Sequence, residues 1–270
     1  YCKMEEIALT KVLVNGACGR MGRAVLKAVS DDAALELVGA VDIIGGADTG
    51  ELAATGTNGI LVETELVAAL ERLHPDVMID FTRPDVVYGN VLTALAHKVS
   101  PVVGTTGLTE QQKAAIKTAA DENDTPAFIA PNFAIGAVLM MLMSRMAAKY
   151  MPEVEIIELH HDNKLDAPSG TAVQTAAMIA EVRAAHAQGH PDEEEKIAGA
   201  RGAEYEGMRI HSVRLPGYVA HQEVIFGGLG QTLSIRHDSL SRASFMPGVV
   251  LAAKKVRGLK SLTVGLDKLL

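Results

Sequence analysis

The stretch Val12-Leu13-Val14-Asn15-Gly16-Ala17-Cys18-Gly19-Arg20-Met21-Gly22 constrains this chain more than any other. An apolar run ends in a glycine-spaced turn, and a helical pattern begins at the last glycine. Gly16 allows the tight turn, Gly19 admits close approach of a ligand, and Gly22 lets helix and strand pack together. Backbone N–H groups at such a helix start, with the positive end of the helix dipole, form a site for a pyrophosphate. Gly16, Ala17, Cys18, Gly19, Arg20 and Met21 are therefore candidate cofactor-binding residues. The usual fingerprint places its middle glycine two residues after the first, where this chain has Cys18, so the spacing is a variant. A plain strand–turn–helix, with glycines serving only the turn, is the competing reading.

The rest of the first half repeats the alternation. Lys11–Asn15, Leu37–Val41, Val77–Phe81, Pro101–Val103 and Phe128–Ala130 read as buried strands. Arg20–Ser30, Val86–His97 and a segment running to about Glu122 read as helices, the last opened by a capping box of Thr109 and Gln112. Strands alternating with helices predict an α/β domain with a parallel sheet covered on both faces. Asp42 ends the second strand, about 20 residues beyond the glycine turn, where a carboxylate can accept hydrogen bonds from the adenosine ribose hydroxyls. The same carboxylate repels a 2′-phosphate, and Ile43 brings no positive charge to offset it. Arg20 and Lys11 are the cations placed to meet phosphate. The expectation is a bound dinucleotide.

After Asn132 the character changes. Ala137–Tyr150 reads as one long apolar helix, and its Met140, Met141, Met143 and Met146 are expected to fill core. Val154–His160 reads as a strand, Thr171–Gln188 as a helix, and Arg209–Arg236 as strand-like segments broken by glycines. Regular alternation is lost, so residues 134–242 are expected to form a second, α+β domain. The helix Gly248–Arg257 and the strand Ser261–Leu266 fit either domain, and Pro191–Lys196 reads as a solvated acidic loop. No apolar run approaches the length of a membrane span. A net charge of -8 argues against a broad phosphate-neutralising surface for nucleic acid. Cys2 and Cys18 are too few for a disulfide framework and fit a reducing, cytoplasmic setting. The start, Tyr1-Cys2-Lys3-Met4-Glu5, is too polar for a secretory signal. An anionic ligand would then meet few, local cations.

The most informative stretch is Glu158-Leu159-His160-His161-Asp162-Asn163-Lys164-Leu165-Asp166-Ala167-Pro168-Ser169-Gly170-Thr171. Adjacent histidines at a strand end point to opposite sides unless the chain turns there. Pro168 and Ser169 start the next helix, with Ser169 as N-cap and Gly170 permitting close backbone approach. A helix start rich in hydroxyl and N–H donors, beside a lysine and histidines, suits a carboxylate ligand. A histidine titrating near neutrality gives or takes a proton. Two plainer readings compete: Ser169 as a cap and nothing more, and a metal held by the histidines with Asp162. No third imidazole sits at ligand spacing and a lysine stands close by, so no metal is expected.

With these residues in view, the sequence closely resembles the 4-hydroxy-tetrahydrodipicolinate reductase family. The family signature E-x-H-H-x-x-K-x-D-x-P-S-G-T matches Glu158–Thr171 without a gap. Further landmarks follow in the family's order: the Gly16–Gly22 loop, Phe81-Thr82-Arg83-Pro84, Val103-Gly104-Thr105-Thr106-Gly107, Ala130-Pro131-Asn132-Phe133, Ser212-Val213-Arg214, His221–Gly227 and Ser241-Arg242-Ala243-Ser244-Phe245. The resemblance implies a Rossmann-type dinucleotide-binding domain from residues 1–133 and 243–270. Residues 134–242 would form an inserted α+β domain for substrate binding and homotetramer assembly. It implies reduction of a small cyclic imine dicarboxylate, with loss of water, to tetrahydrodipicolinate in diaminopimelate and lysine biosynthesis. The cofactor would be NADH or NADPH, with NADH favoured or both used. By resemblance His160 and Lys164 are the catalytic proton donors, and His161 with Ser169, Gly170 and Thr171 holds the substrate. Gly104, Thr105, Thr106, Ala130, Pro131, Asn132 and Phe133 would hold the nicotinamide half of the cofactor. NADPH-tolerant members often carry an arginine where this chain has Ile43. Two alternatives stand: another two-domain dehydrogenase, which has no reason to carry His160–Thr171, and a non-catalytic dinucleotide sensor, which needs no acid–base cluster.

Overall fold

The structure is a computed structural model that describes residues 9–184 and 186–270; the polar start and Cys2 lie outside these residues. The chain divides into two compact units, one running to Phe133 and resuming over Phe245–Leu270, the other Ala134–Ser244.

In the first unit, β1 (Thr10–Asn15), β2 (Leu35–Val41), β3 (Val62–Glu63), β4 (Val77–Asp80), β5 (Ser100–Val103) and β6 (Ala127–Ile129) join a last strand, Leu262–Val264, in one sheet. Its order is β3-β2-β1-β4-β5-β6 and then Leu262–Val264, and every pair is parallel. That is the doubly wound order, and it reverses direction between β1 and β4. The sequence explains the arrangement: Val12, Leu13 and Val14, like Val77, Met78 and Ile79, are buried at every position, as strands covered on both faces must be. Helix α1 (Arg20–Asp31) buries Gly22, Val25, Leu26 and Val29, one stripe at helical spacing.

Three short elements absent from the expectation follow β2: α2 (Thr49–Leu52), the two-residue β3, and α3 (Leu66–Leu73). The first two are too short to show a period. The Asp48 carboxylate organises them instead, accepting the N–H groups of Gly50 (2.9 Å), Glu51 (3.2 Å), Asn58 (3.2 Å) and Gly59 (2.8 Å). Beyond them α4 (Val87–Ala96) follows β4, and α5 (Glu110–Glu122) begins at the expected capping box of Thr109 and Gln112. The helix Met246–Lys255 and the strand Leu262–Val264 belong to this unit. The strand stops short of the expected Leu266, because Gly265 at φ 100° turns the chain into a 3-10 turn.

The second unit opens with α6 (Ile135–Ala147) and continues through β7 (Glu153–His160), α7 (Gly170–Ala180), β8 (Ala203–Tyr205), β9 (Met208–Arg214), β10 (Ala220–Gly228) and β11 (Gln231–Ser239). Its sheet runs β11-β10-β7-β9-β8 and is mixed, with β7 and β9 parallel and the other pairs antiparallel. Alternate residues Val154, Ile156, Val224 and Phe226 are buried, and α6 and α7 pack on each other and on strands of this sheet. Met140 and Met141 are core as expected, whereas Met143 (47% exposed) and Met146 (61% exposed) face outward, so the methionine cluster is only half core. Helix α7 ends at Ala180, well short of the expected Gln188. Arg183 ends it by donating to the carbonyls of Pro152, Glu206 and His186. The Gln188 side chain bonds both the N–H (2.7 Å) and the C=O (2.9 Å) of Val154, as a strand neighbour would.

Candidate functional site

The candidate site residues fall into two groups, one in each unit. In the first unit β1 runs into Gly16, whose φ of 85° only glycine adopts readily. The N–H groups of Gly16 (2.9 Å) and Ala17 (3.2 Å) donate to the Val41 carbonyl, locking the turn to the end of β2. A Cβ on Gly16 would meet the Phe81 carbonyl, and one on Gly22 would strike the Gly16 carbonyl, so both glycines are needed for close packing. Gly19, the N-cap of α1, offers no side-chain acceptor and the first turn holds no acid. The first amides of a helix have no partner within it, so this uncapped end suits an anion.

A cleft of about 460 Å³ opens here, lined by Gly16, Cys18, Gly19 and Asp42 together with Ile43, Phe81, Thr82 and Arg83. It lies where the strand order reverses, the place where open α/β sheets take ligands. Asp42 accepts the Cys18 N–H at 2.8 Å, which fixes the carboxylate beside the loop. Of the other predicted residues, Ala17 is fully buried under the turn, while Arg20 is exposed and Met21 half-buried on the first turn of α1. Gly104, Thr105, Thr106, Ala130, Pro131, Asn132 and Phe133 do not line the cleft; they follow β5 and β6. Phe81 links the two sets: its ring packs on Gly104, where a Cβ would collide, and lies 5.9 Å from the Phe133 ring. Thr106 and Pro131 are exposed, Asn132 half-buried, and Thr105, Ala130 and Phe133 buried.

Under these loop ends lies Asp80, fully buried, a residue the sequence reading passed over. Its Oδ2 accepts from the side chains of Asn15 (2.9 Å) and Asn90 (3.0 Å). Its Oδ1 accepts from the Thr82 N–H (3.0 Å) and hydroxyl (2.7 Å) and from the Thr105 hydroxyl (3.0 Å). One carboxylate thus ties the ends of β1, β4 and β5 together.

In the second unit β7 ends at His160, and the chain then turns, with the Lys164 N–H donating to the His161 carbonyl at 3.2 Å. Glu158 and His160 lie two residues apart on one strand face, so their side chains meet. The His160 Nδ1 sits 2.5 Å from Glu158 Oε2. Burial alone would raise the Glu158 carboxyl, yet hydrogen bonds from His160, Arg214 and Ser212 and the His160 charge pull it down to about 2. An ionised carboxylate only accepts, so the His160 Nδ1 carries the proton and Nε2 is the atom left to exchange one. His161, by contrast, is exposed beyond the strand end.

Lys164 pairs with Asp166 at 2.7 Å and holds that carboxyl below the usual range. The Ala167–Pro168 peptide is cis, and Ser169 then caps α7, its hydroxyl accepting the Ala172 N–H at 3.2 Å. The hydroxyl retains its own proton to donate. Gly170 is exposed at the first position of α7, and the half-buried Thr171 follows it. Among the described residues no three His, Cys, Asp or Glu side chains are placed to hold a metal ion.

Comparison with known proteins gives the family. Residues 10–133 match the family model "Dihydrodipicolinate reductase, N-terminus", and residues 136–270 match "Dihydrodipicolinate reductase, C-terminus". The chain belongs to the dihydrodipicolinate reductase family. Two similar relatives, both named 4-hydroxy-tetrahydrodipicolinate reductase, come from Desulfitobacterium hafniense and Listeria monocytogenes. Each is 54% identical over 96% of this chain, covering 98% and 99% of the relative respectively. A solved dipicolinate-bound dihydrodipicolinate reductase from Paenisporosarcina sp. TG-14 is 45% identical, covers 97% of this chain and 100% of its own, and superposes with a TM-score of 0.87.

For a dihydrodipicolinate reductase, the residues that sequence reasoning gave no role are Glu158, Arg214, Phe81 and Asp80. The first three stand inside family landmarks, and the period of two along β7 was the signal that Glu158 reaches His160. Only Thr82, two residues on, marks Asp80 locally, because its other partners come from three separate segments.

Proposed function

We propose that this chain reduces 4-hydroxy-tetrahydrodipicolinate, with loss of water, to tetrahydrodipicolinate, using NADH or NADPH, in the cytoplasmic synthesis of diaminopimelate and lysine. The observation that carries this reading is the buried Glu158 carboxylate holding His160 Nδ1–H beside the Ser169-capped helix start. The names of the relatives and the dipicolinate in the solved homologue agree with it.

Loss of water from the hydroxylated ring leaves a conjugated imine. The reduced nicotinamide supplies a hydride to carbon, and one proton must arrive to complete the product. His160 holds that proton at Nε2, on a ring fixed from the other side. Lys164 is the second donor: its ammonium, released from Asp166 when substrate binds, protonates the hydroxyl that leaves as water, while the ring carbon beside it gives up a proton to solvent. His161 positions the substrate, and Ser169, Gly170 and Thr171 grip a carboxylate at the α7 start. In the first unit, which acts as the dinucleotide-binding domain, Gly16, Ala17, Cys18, Gly19, Arg20 and Met21 hold the pyrophosphate and Asp42 the ribose. Gly104, Thr105, Thr106 and Ala130, Pro131, Asn132 and Phe133 hold the nicotinamide half. The second unit is the substrate domain, and the sheet face away from α6 and α7, with Ile157 and Ile225, assembles the homotetramer.

Turnover of freshly generated substrate, followed by loss of reduced-nicotinamide absorbance, tests the reaction directly. His160→Gln and Lys164→Met are each expected to lower kcat by roughly 10²–10⁴ and leave NADH affinity unchanged. His161→Gln acts through KM. Near-native kcat in His160→Gln, with loss in His161→Gln, would reverse the two histidine roles. No turnover by the unsubstituted protein would end the proposal.

A further inference from the structure

Glu158 has no exposed surface, and donors from four places converge on it. Oε2 accepts from His160 Nδ1 (2.5 Å) and one Arg214 nitrogen (2.8 Å). Oε1 accepts from the other Arg214 terminal nitrogen (2.7 Å) and from the Ser169 N–H (3.2 Å). The Ser212 hydroxyl donates as well. Arg214 is tied down in turn, donating to the carbonyls of Val213 (2.8 Å) and Asp166 (2.7 Å). The guanidinium therefore grips Glu158 with both arms and also holds the loop that leads from Lys164 into α7.

A two-armed arginine fixes the plane of a carboxylate, which a single-point contact does not. With that plane fixed, the carboxylate sets two other groups at once. It orients the imidazole with Nδ1 protonated and Nε2 outward, and it pins the backbone of the N-cap residue from which α7 starts. We propose that Glu158, locked by Arg214, is the positioning residue that keeps the proton donor His160 and the carboxylate-binding start of α7 in one fixed register. The inference rests on the roles given above to His160 and the α7 start. Its consequence is that proton delivery and grip on the dicarboxylate fail together when the buried carboxylate is lost, although Glu158 touches neither substrate nor cofactor.

Glu158→Gln preserves size but keeps one acceptor and turns the other oxygen into a donor facing Arg214. Full-length protein carrying this substitution is expected to lose roughly 10²-fold in kcat, the low end of what a positioned acid contributes. Its inhibition constant for pyridine-2,6-dicarboxylate should rise about tenfold, while NADH affinity stays native. His160→Gln, by contrast, should lose kcat with little change in that inhibition constant. Nitrogen-15 NMR of histidine-labelled protein, with the His160 signal assigned by its absence from His160→Gln, supplies a readout that needs no Glu158 variant. The proposal expects the neutral ring to be the Nδ1–H tautomer alone, and a mixture of tautomers in Glu158→Gln. An Nε2–H or mixed tautomer in the unsubstituted protein would overturn it. So would native kcat in Glu158→Gln, or a loss of NADH affinity as large as the loss of kcat, which would mark the pair as ordinary core. Native kcat in His160→Gln would instead sink the role given to His160, a distinct failure.

Discussion

Asp42 cannot easily turn away from a nucleotide, because one of its oxygens is already held by the Cys18 amide. A 2′-phosphate brought to this place meets a fixed negative charge, and neighbouring Ile43 is exposed and uncharged. We expect kcat/KM for NADH to equal or exceed that for NADPH at the same ionic strength, and Ile43→Arg to shift the ratio toward NADPH. A preference of the unsubstituted protein for NADPH of about tenfold, ~1.4 kcal/mol, would overturn this reading of Asp42. Glu158 gives a second prediction at this scale. Its carboxyl lies at about 2 in the folded chain, against an ordinary value of 4.5. A depressed folded-state pKa contributes stability above the unfolded value and loses it as pH falls toward the folded one. Stability of the second unit should therefore fall between about pH 4.5 and 2, by about 3 kcal/mol in total from this group. Urea unfolding at a series of pH values measures the slope, and Glu158→Gln should flatten it. An equal slope in both proteins would assign the acid sensitivity elsewhere.

Among the elements, those that end with a local signal were legible. The glycine turn before α1, the capping box of α5 and the Ser169 cap of α7 each carry their instruction within seven residues or fewer, and the structure places all three as expected. Where the instruction is distant, it could not be read. Helix α7 has no breaker before Gly189, yet it stops at Ala180 because Arg183 and Gln188 are claimed by Pro152, Val154 and Glu206. The ends of β1, β4 and β5 likewise owe their mutual placement to Asp80. Asp80→Asn keeps the shape but presents a donor to at least two of its donors, at a cost of roughly 1–3 kcal/mol for each group left unpaired. We expect a lower urea midpoint together with weaker NADH binding, because Thr82 lines the cleft and Asn15 precedes Gly16. Calorimetric titration with NADH checks this, and native affinity in a destabilised variant would reduce Asp80 to a core contact.

For the molecule as a whole, the periodic pattern gave the class of each unit, parallel α/β and then α+β. The glycine turn with Asp42, and the Glu158–Thr171 segment, gave most of the candidate site. What no local pattern could give was where the C-terminal segment goes. Its helix and strand are ordinary in composition, and only the free edge of β6 and the packing of Gly248 on Phe133, where a Cβ would not fit, decide that they return to the first unit. The Phe81 contacts are of the same kind. Gly104 and Phe133 read as separate landmarks in the sequence, and a ring from a third segment joins them.

The strand Leu262–Val264 lies beside β6, yet the ribosome makes it only after the whole of Ala134–Ser244 has been synthesised. Until then the nascent first unit carries six of its seven strands, and β6 shows an unpaired row of amides and carbonyls. Such an edge is a template for any extended segment nearby, including the β-rich insert that is being synthesised meanwhile. Completion of the nucleotide-binding sheet is therefore a late, long-range closure rather than a vectorial one. Chains stalled before Leu262 keep that edge open and are the ones exposed to pairing with one another.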